Sequence, residues 1–404
     1  MFRWIVHRAV AGTALCVALA SSAWCQIPEF GILQTLEATP QEVQPDPEDM
    51  PQELKFGNSV AIRGNIALVG MPDAYDGAGR VAEFTRNASG SWVRSATLLS
   101  PDPIRAQFGW HVAFKDNTAL VAASGAIYVF KRSSTGAWTR TQKLTLPAQQ
   151  PYTYSLQYHE RVVAVGVWSE VTQGAVYVFH LTTTGKLAQT RVLSASDATA
   201  GDYFGYDVAL THDTLVVGSP RGVQPGSPGA AYVFKRSGDR WTERQKLTGS
   251  DVDPDGSFGD SVAIDKGMIV VAATGTDARP NETNGAAYVF TSVTGAWVEQ
   301  QKLVPDPTQF PTYYNFGEDI AMFNDRVVIG AHETFFSGFF GAGLGFTYAR
   351  SGNQLTPIGV AVGNQGLESL SLSSYTLIMG APYGFSCSNA PCIGSATVHN
   401  VRGR

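Results

Sequence analysis

The chain has 404 residues, 44% of them hydrophobic, with 42 glycines, 21 prolines and a formal net charge of −5. That length is enough for a large core, the glycine and proline content supplies many turns, and together they read as an all-β globular class. Basic residues are nowhere clustered, which excludes nucleic acid or an anionic membrane surface as the principal partner.

Arg3 and Arg8 precede an apolar run from Ala9 to Ala20, and small residues close it before Cys25. A positive start, a short apolar stretch and a small-residue end form the pattern of a secretory signal peptide, and a run of about 12 residues falls short of the roughly 20 needed to span a bilayer. Residues 1–25 are read as this signal, with cleavage after Ala23 or Cys25; Trp24 is wrong for a lipoprotein signal. The rest, 26–404, is expected as one domain with no membrane span. It is expected to be a monomer that is secreted, periplasmic or exposed at the cell surface.

From Phe56 onward one pattern recurs with a period of about 50 residues, the mark of a solenoid or propeller. Its copies open at Phe56, Phe108, Tyr152, Phe204, Phe258, Phe316 and Gly366. Apolar pairs four and six positions on, such as Val60 and Ile62 or Val208 and Leu210, predict a first strand. A tight turn leads to a second strand that is apolar at successive positions, as in Leu215, Val216 and Val217. The third strand opens on glycine: GRVAEF from Gly79, GAIYVF from Gly125, GAVYVF from Gly174, GAAYVF from Gly229 and Gly285, GLGFTY from Gly343 and GSATVH from Gly394. A fourth opens at Trp92, Trp138, Leu187, Trp241, Trp297 and Leu355, so the seventh copy lacks one.

The missing strand has a counterpart at the other end of the chain. FGILQTL at 30–36 matches WTERQKL at 241–247 in its opening aromatic, its Gln four positions later and its Leu six later. A strand displaced from one terminus to the other fits a closed ring, so the expected fold is a seven-bladed β-propeller of four-stranded antiparallel blades. In it Phe30 to Leu36 pairs with Gly394 to His399.

The openings FGNSVA, FGYDVAL and FGDSVAI, followed by VGMP, VGSP and MGAP, resemble FG-GAP repeats, the units of the seven-bladed integrin α-chain head and of many exported bacterial proteins. The resemblance covers residues 30–404 and implies a binding propeller. It also implies calcium in first-to-second loops, but here those loops (Arg63, Gly64, Asn65; Lys266, Gly267) are too short to wrap an ion, and that part does not carry over.

Chain direction reverses at every strand, so second-to-third loops share one face with blade-to-blade loops. Both sets are long and irregular, and variable loops on a rigid scaffold are where binding concentrates. On that face Phe335, Phe336, Phe339 and Phe340 fall in one loop of the sixth copy, and Tyr313 and Tyr314 in the loop before it. They are read as a ligand-binding patch with Glu333 and Glu318 as nearby acceptors, against the alternative that the rings fold over their own blade. Asp251, Asp253 and Asp255 keep the alternating spacing of a calcium loop, although the twelfth position is Val262; a solvated acidic turn is the preferred reading. Cys387 and Cys392, in CSNAPC, are expected to form a disulfide in an exported chain.

No nucleophile elbow, glycine-rich phosphate loop or metal-spaced histidine set occurs, and no cofactor is expected beyond that weak calcium motif. Acidic residues on the loop face (Asp73, Asp76, Asp197, Asp202) could pair for glycoside chemistry but more often cap turns. The leading expectation is a non-enzymatic propeller binding an extracellular protein or glycan through its long-loop face. The alternatives are a hydrolase or lyase acting on extracellular polysaccharide, and a structural module of the envelope.

Overall fold

The computed structural model describes residues 29–402 apart from 31, 39–54, 75–76, 103–105, 147–154, 221–225, 276, 280–281, 284, 307–309, 311–312, 337–338, 341, 364–365 and 383–393. Blade four shows the repeating unit: Val208–Leu210, Thr214–Ser219, Ala230–Ser237 and Arg240–Leu247 pair antiparallel in chain order. Every residue of its second strand is buried, because neighbouring blades cover both sheet faces; that is why this strand reads as a continuous apolar run. The fourth strand is exposed at alternate positions, as an outer strand must be.

Seven such blades form the molecule. Their first strands are Val60–Arg63, Val112–Lys115, Ser155–His159, Val208–Leu210, Phe258–Asp265, Ile320–Phe323 and Ser369–Ser373. Each touches the first strands of the blades on either side, and the last touches the first, so the ring is closed around a central channel. The hydrophobic core lies between blades: one cluster joins Val216, Val233 and Leu247 of blade four to Phe258, Val271 and Tyr288 of blade five.

The FG opening is what lets one blade lie against the next. Phe108, Phe204 and Phe258 are fully buried, and their backbones pair with the glycine that starts the preceding blade's third strand (Gly79, Gly174, Gly229). Gly259 sits at φ +104°, and a Cβ on Gly218 of blade four would lie 2.0 Å from the Gly259 carbonyl oxygen. Only two glycines allow this approach.

The same contact closes the ring, with Phe56 pairing to Gly394 and the Ser369 hydroxyl donating to the Gly57 carbonyl at 2.9 Å. On the outside of blade seven, Ile32–Leu36 pairs antiparallel with Ser395–Asn400, Leu36 lying opposite Ala396. The observed strand differs from the expected one at its start. Phe30 is not in it: Glu29–Phe30 instead pairs parallel with Gln354–Val362 of blade six. The cause is a space made by Gly359, where a Cβ would meet the Phe30 ring at 2.1 Å.

Candidate functional site

First strands run from the long-loop face toward the tight turns, so the residues just after each FG stand at the long-loop mouth of the channel. In blades four to seven those residues are ionisable. Tyr206 and Asp207 precede the first strand of blade four, Glu318 and Asp319 that of blade six, and Glu368 that of blade seven; Asp260 holds the same place in blade five. His332 joins them from the end of the second strand of blade six, Arg326–Ala331.

Two roles separate within this set. The second residue after the FG glycine stitches neighbouring first strands together. Asp207 accepts from the Ser155 hydroxyl at 2.7 Å and from the Val262 amide at 2.8 Å, and Asp319 accepts from the Leu370 amide at 2.6 Å. The residue before it faces the mouth. Glu318, Glu368 and His332 bring one ligating atom each to within 4.8 Å of one another, the one such trio among the described residues. The His332 Nδ1–H donates to the Leu367 carbonyl at 2.7 Å and lies 3.4 Å from Glu368 Oε1. One imidazole and two carboxylates make a donor set for a divalent cation, or a receptor for a cationic group.

The surroundings hold these acids toward their neutral form. Burial first, then the charges of Glu368 and Asp260, raises Glu318 to about 8. Burial first, then Asp207, raises Asp319 to about 7. Glu368 is raised by burial and partly relieved by His332 and Lys55. Lys55 is itself tied to Asp73 at 3.0 Å and lies over the Trp110 ring. Tyr206 is raised by burial and by Asp260, Glu318, Asp207 and Glu368, which places its ring in the same field. Perturbed carboxyls gathered at a channel mouth make it the candidate functional site.

The aromatic loops meet this site through their backbones. Tyr313–Tyr314 pairs antiparallel with Glu333–Phe336, setting Tyr313 opposite Thr334 and Tyr314 opposite Glu333. Phe335 and Phe336 pair in turn with Phe340 and Phe339. The six aromatics thus belong to one small three-stranded sheet, with His332 at the foot of one strand and Glu318 four residues beyond Tyr314 in the chain.

Asp251 has a structural occupation. It accepts from the Tyr288 hydroxyl at 2.9 Å and pairs with Lys302 at 2.9 Å. The arrangement repeats as Tyr232, Asp197 and Lys246 in blade four and as Tyr128, Asp102 and Lys143 in blade two. Asp255 accepts from the Gly226 amide at 3.1 Å, and the one ligating trio found among the described residues is elsewhere. Of the other acids weighed from sequence, Asp202 caps Thr199, Asp197 belongs to the lock just described, and Asp73 holds Lys55. Asp76, Cys387 and Cys392 lie outside the described residues.

Sequence reasoning named Glu318 only as an acceptor beside the aromatics and missed Glu368 and His332. The available signal was the column after FG, which reads Asn58, Trp110, Tyr206, Asp260 and Glu318 where a purely structural column would hold small residues.

Residues 187–234 and 241–290 match the FG-GAP repeat family. Each matched unit starts at a fourth strand and ends in the third strand of the next blade, the same offset that leaves blade seven to be completed from the N-terminal side. No curated protein matches the chain. Among solved structures it is similar to Sqt1 of Saccharomyces cerevisiae, with TM-score 0.54 and 11% identity over 93% of this chain and 100% of that one. A protein from Lactobacillus plantarum gives TM-score 0.51 and 15% identity over 78% and 86%. A putative 6-phosphogluconolactonase from Bacteroides uniformis gives 0.55 and 10% over 77% and 86%. Likeness at such identity shows the fold alone: the chain is a seven-bladed β-propeller, two of whose repeat units, 187–234 and 241–290, match the FG-GAP repeat family.

Proposed function

We propose that this protein is an exported, non-enzymatic binding propeller that engages an extracellular protein or glycan through its long-loop face, centred on the channel mouth. The observation that carries the reading is the meeting of Glu318, Glu368 and His332 within 4.8 Å at that mouth. Burial and mutual repulsion hold the two carboxyls toward their neutral form, and a partner bringing positive charge favours their ionised form and gains a charged contact. A basic side chain or an amino sugar has the matching chemistry. The small sheet of Tyr313–Tyr314, Glu333–Phe336 and Phe339–Phe340 begins next to His332 in the chain, and aromatic residues dominate the energetics of binding contacts.

The test is retention of extracellular proteins and arrayed glycans by the wild-type chain and by a Glu318→Gln/Glu368→Gln variant. The reading expects the variant to keep its fold and to lose binding by at least about tenfold, the equivalent of one lost charged contact. Undiminished binding by the variant would refute it. A second reading rests on Glu318 being protonated near neutrality, as a general acid is in glycoside hydrolysis. Release of dye from chromogenic polysaccharides by the wild type, lost in Glu318→Gln, would favour that hydrolase reading instead.

A further inference from the structure

The lock of Tyr, Asp and Lys recurs in blades two, four and five, and in each the Lys is the direct cross-strand partner of the Tyr: Lys143 of Tyr128, Lys246 of Tyr232, Lys302 of Tyr288. Each Lys also lies over its Tyr ring, at 5.6, 5.4 and 5.5 Å from the centroid. Blade three keeps the Tyr, as Tyr177, but its cross-strand partner is Val192. The segment leading into blade three, LPAQQPYTY at 146–154, contains no carboxylate. Tyr177 therefore has neither lock partner, and among the described residues its hydroxyl makes no hydrogen bond.

A cavity of about 700 Å³ lies beside it on the long-loop face, lined by Trp168, Ser169, Thr172, Gln173, Tyr177 and Thr199. Its walls are held in place. The Gly201 amide donates to the Thr172 carbonyl at 3.1 Å, and the Ser169 hydroxyl accepts from the amides of Val171 and Thr172. Thr199 donates to Asp202 from both its amide and its hydroxyl. Trp168 packs on Tyr203 with ring centroids 4.2 Å apart and ring planes tilted by 35°. Among the described residues no carboxylate or cation lines the cavity, and the ligand it suits is neutral.

We infer that this cavity is a carbohydrate subsite, taking a neutral sugar ring against the aromatic walls of Trp168 and Tyr177, with the Gln173 amide and the Tyr177 hydroxyl bonding its hydroxyls. It rests on the long-loop face being the binding face, and it names a ligand class there. An apolar platform with a few unengaged polar groups, in a volume typical of small-ligand sites, matches the two-sided chemistry of a pyranose. A peptide is the poorer fit. The strands bounding the cavity pair with one another, Gly166 with Val176 and Val167 with Ala175, and leave no free edge for strand addition.

The test applies the full mature chain to an array of neutral and charged glycans, with four forms side by side: wild type, Gln173→Ala, Val192→Lys, and Glu318→Gln/Glu368→Gln. Gln173 is exposed and Val192 is 50% exposed, so neither substitution disturbs the core. A lysine at 192 would lie across Tyr177 as its counterparts do in the locked blades. The expected result is binding of a neutral glycan that falls about tenfold or more in Val192→Lys, falls measurably in Gln173→Ala, and survives in the double glutamine variant. Wild-type strength in both blade-three variants would overturn the subsite, and loss in the double variant alone would do so while upholding the channel mouth. Absence of any neutral glycan binding would also overturn it, and the channel-mouth reading would then stand or fall on protein retention.

Discussion

Gln245 shows how single side chains hold this ring. Its amide donates to the Trp297 carbonyl at 2.7 Å and accepts from the Trp297 amide at 2.8 Å, clasping the backbone of the next blade. Gln34 does the same to Trp92, Gln142 to Leu187 and Gln301 to Leu355. The Gln that made the FGILQTL match legible is therefore an inter-blade clasp. Gln245→Ala removes two hydrogen bonds and leaves two backbone groups to find water, and it should cost about 1–3 kcal/mol in urea unfolding. Gly259→Ala should be worse, above about 3 kcal/mol, since a Cβ there would lie 2.3 Å from the Ala230 carbonyl oxygen at a positive φ. Asp251→Asn should act on a solvent-screened pair only and cost less than about 1 kcal/mol. If Asp251 were instead a calcium ligand, millimolar calcium would raise the wild-type melting temperature and not that of Asp251→Asn; the lock predicts no difference.

At the scale of elements, the strand Ile32–Leu36 occupies the outer place in blade seven, with Leu36 buried and ladder pairs from Ile32 to Leu36. A chain beginning at Gln52 leaves the third strand of that blade as an exposed apolar edge, so it should melt at lower temperature and aggregate. Equal melting of the truncated chain and of one that keeps residues 29–51 would show that the strand contributes nothing to stability. Its existence was legible because aromatic, Gln and Leu recur at fixed offsets. The departure of Phe30 to blade six was not, because it depends on Gly359 replacing the clasp glutamine of blades two, four and five, a fact that gains meaning only when the strands are side by side. The aromatic loops of blade six were legible as a cluster, and their pairing into one sheet was not.

Over the whole molecule the period carried the fold, since seven openings and seven glycine-led third strands admit few architectures besides a ring. The site stayed hidden because Glu318, His332 and Glu368 come from two blades and from a strand end, with no local motif to join them. Their environment has a global consequence. Glu318 and Asp319, at about 8 and about 7, bind protons in the folded chain that the unfolded chain has already released, so stability falls as pH rises from about 5 through 8. His111, held by burial at about 4, stays neutral in the fold while the unfolded chain protonates, so between about pH 6.5 and 4 it opposes the effect of one of the two acids. The two acids outweigh the one histidine, so urea midpoints should fall as pH rises from about 5 through 8, and Glu318→Gln should flatten that fall.

The most direct test of the central claim, that binding belongs to the long-loop face, is hydrogen exchange on the full chain with and without the protein or glycan it retains from the arrays. The account predicts slowed exchange in the segments around residues 55–59, 166–174, 203–207, 315–319 and 366–369. Slowing confined to the hairpins at 87–91, 133–137 and 182–186, on the opposite face, would contradict it.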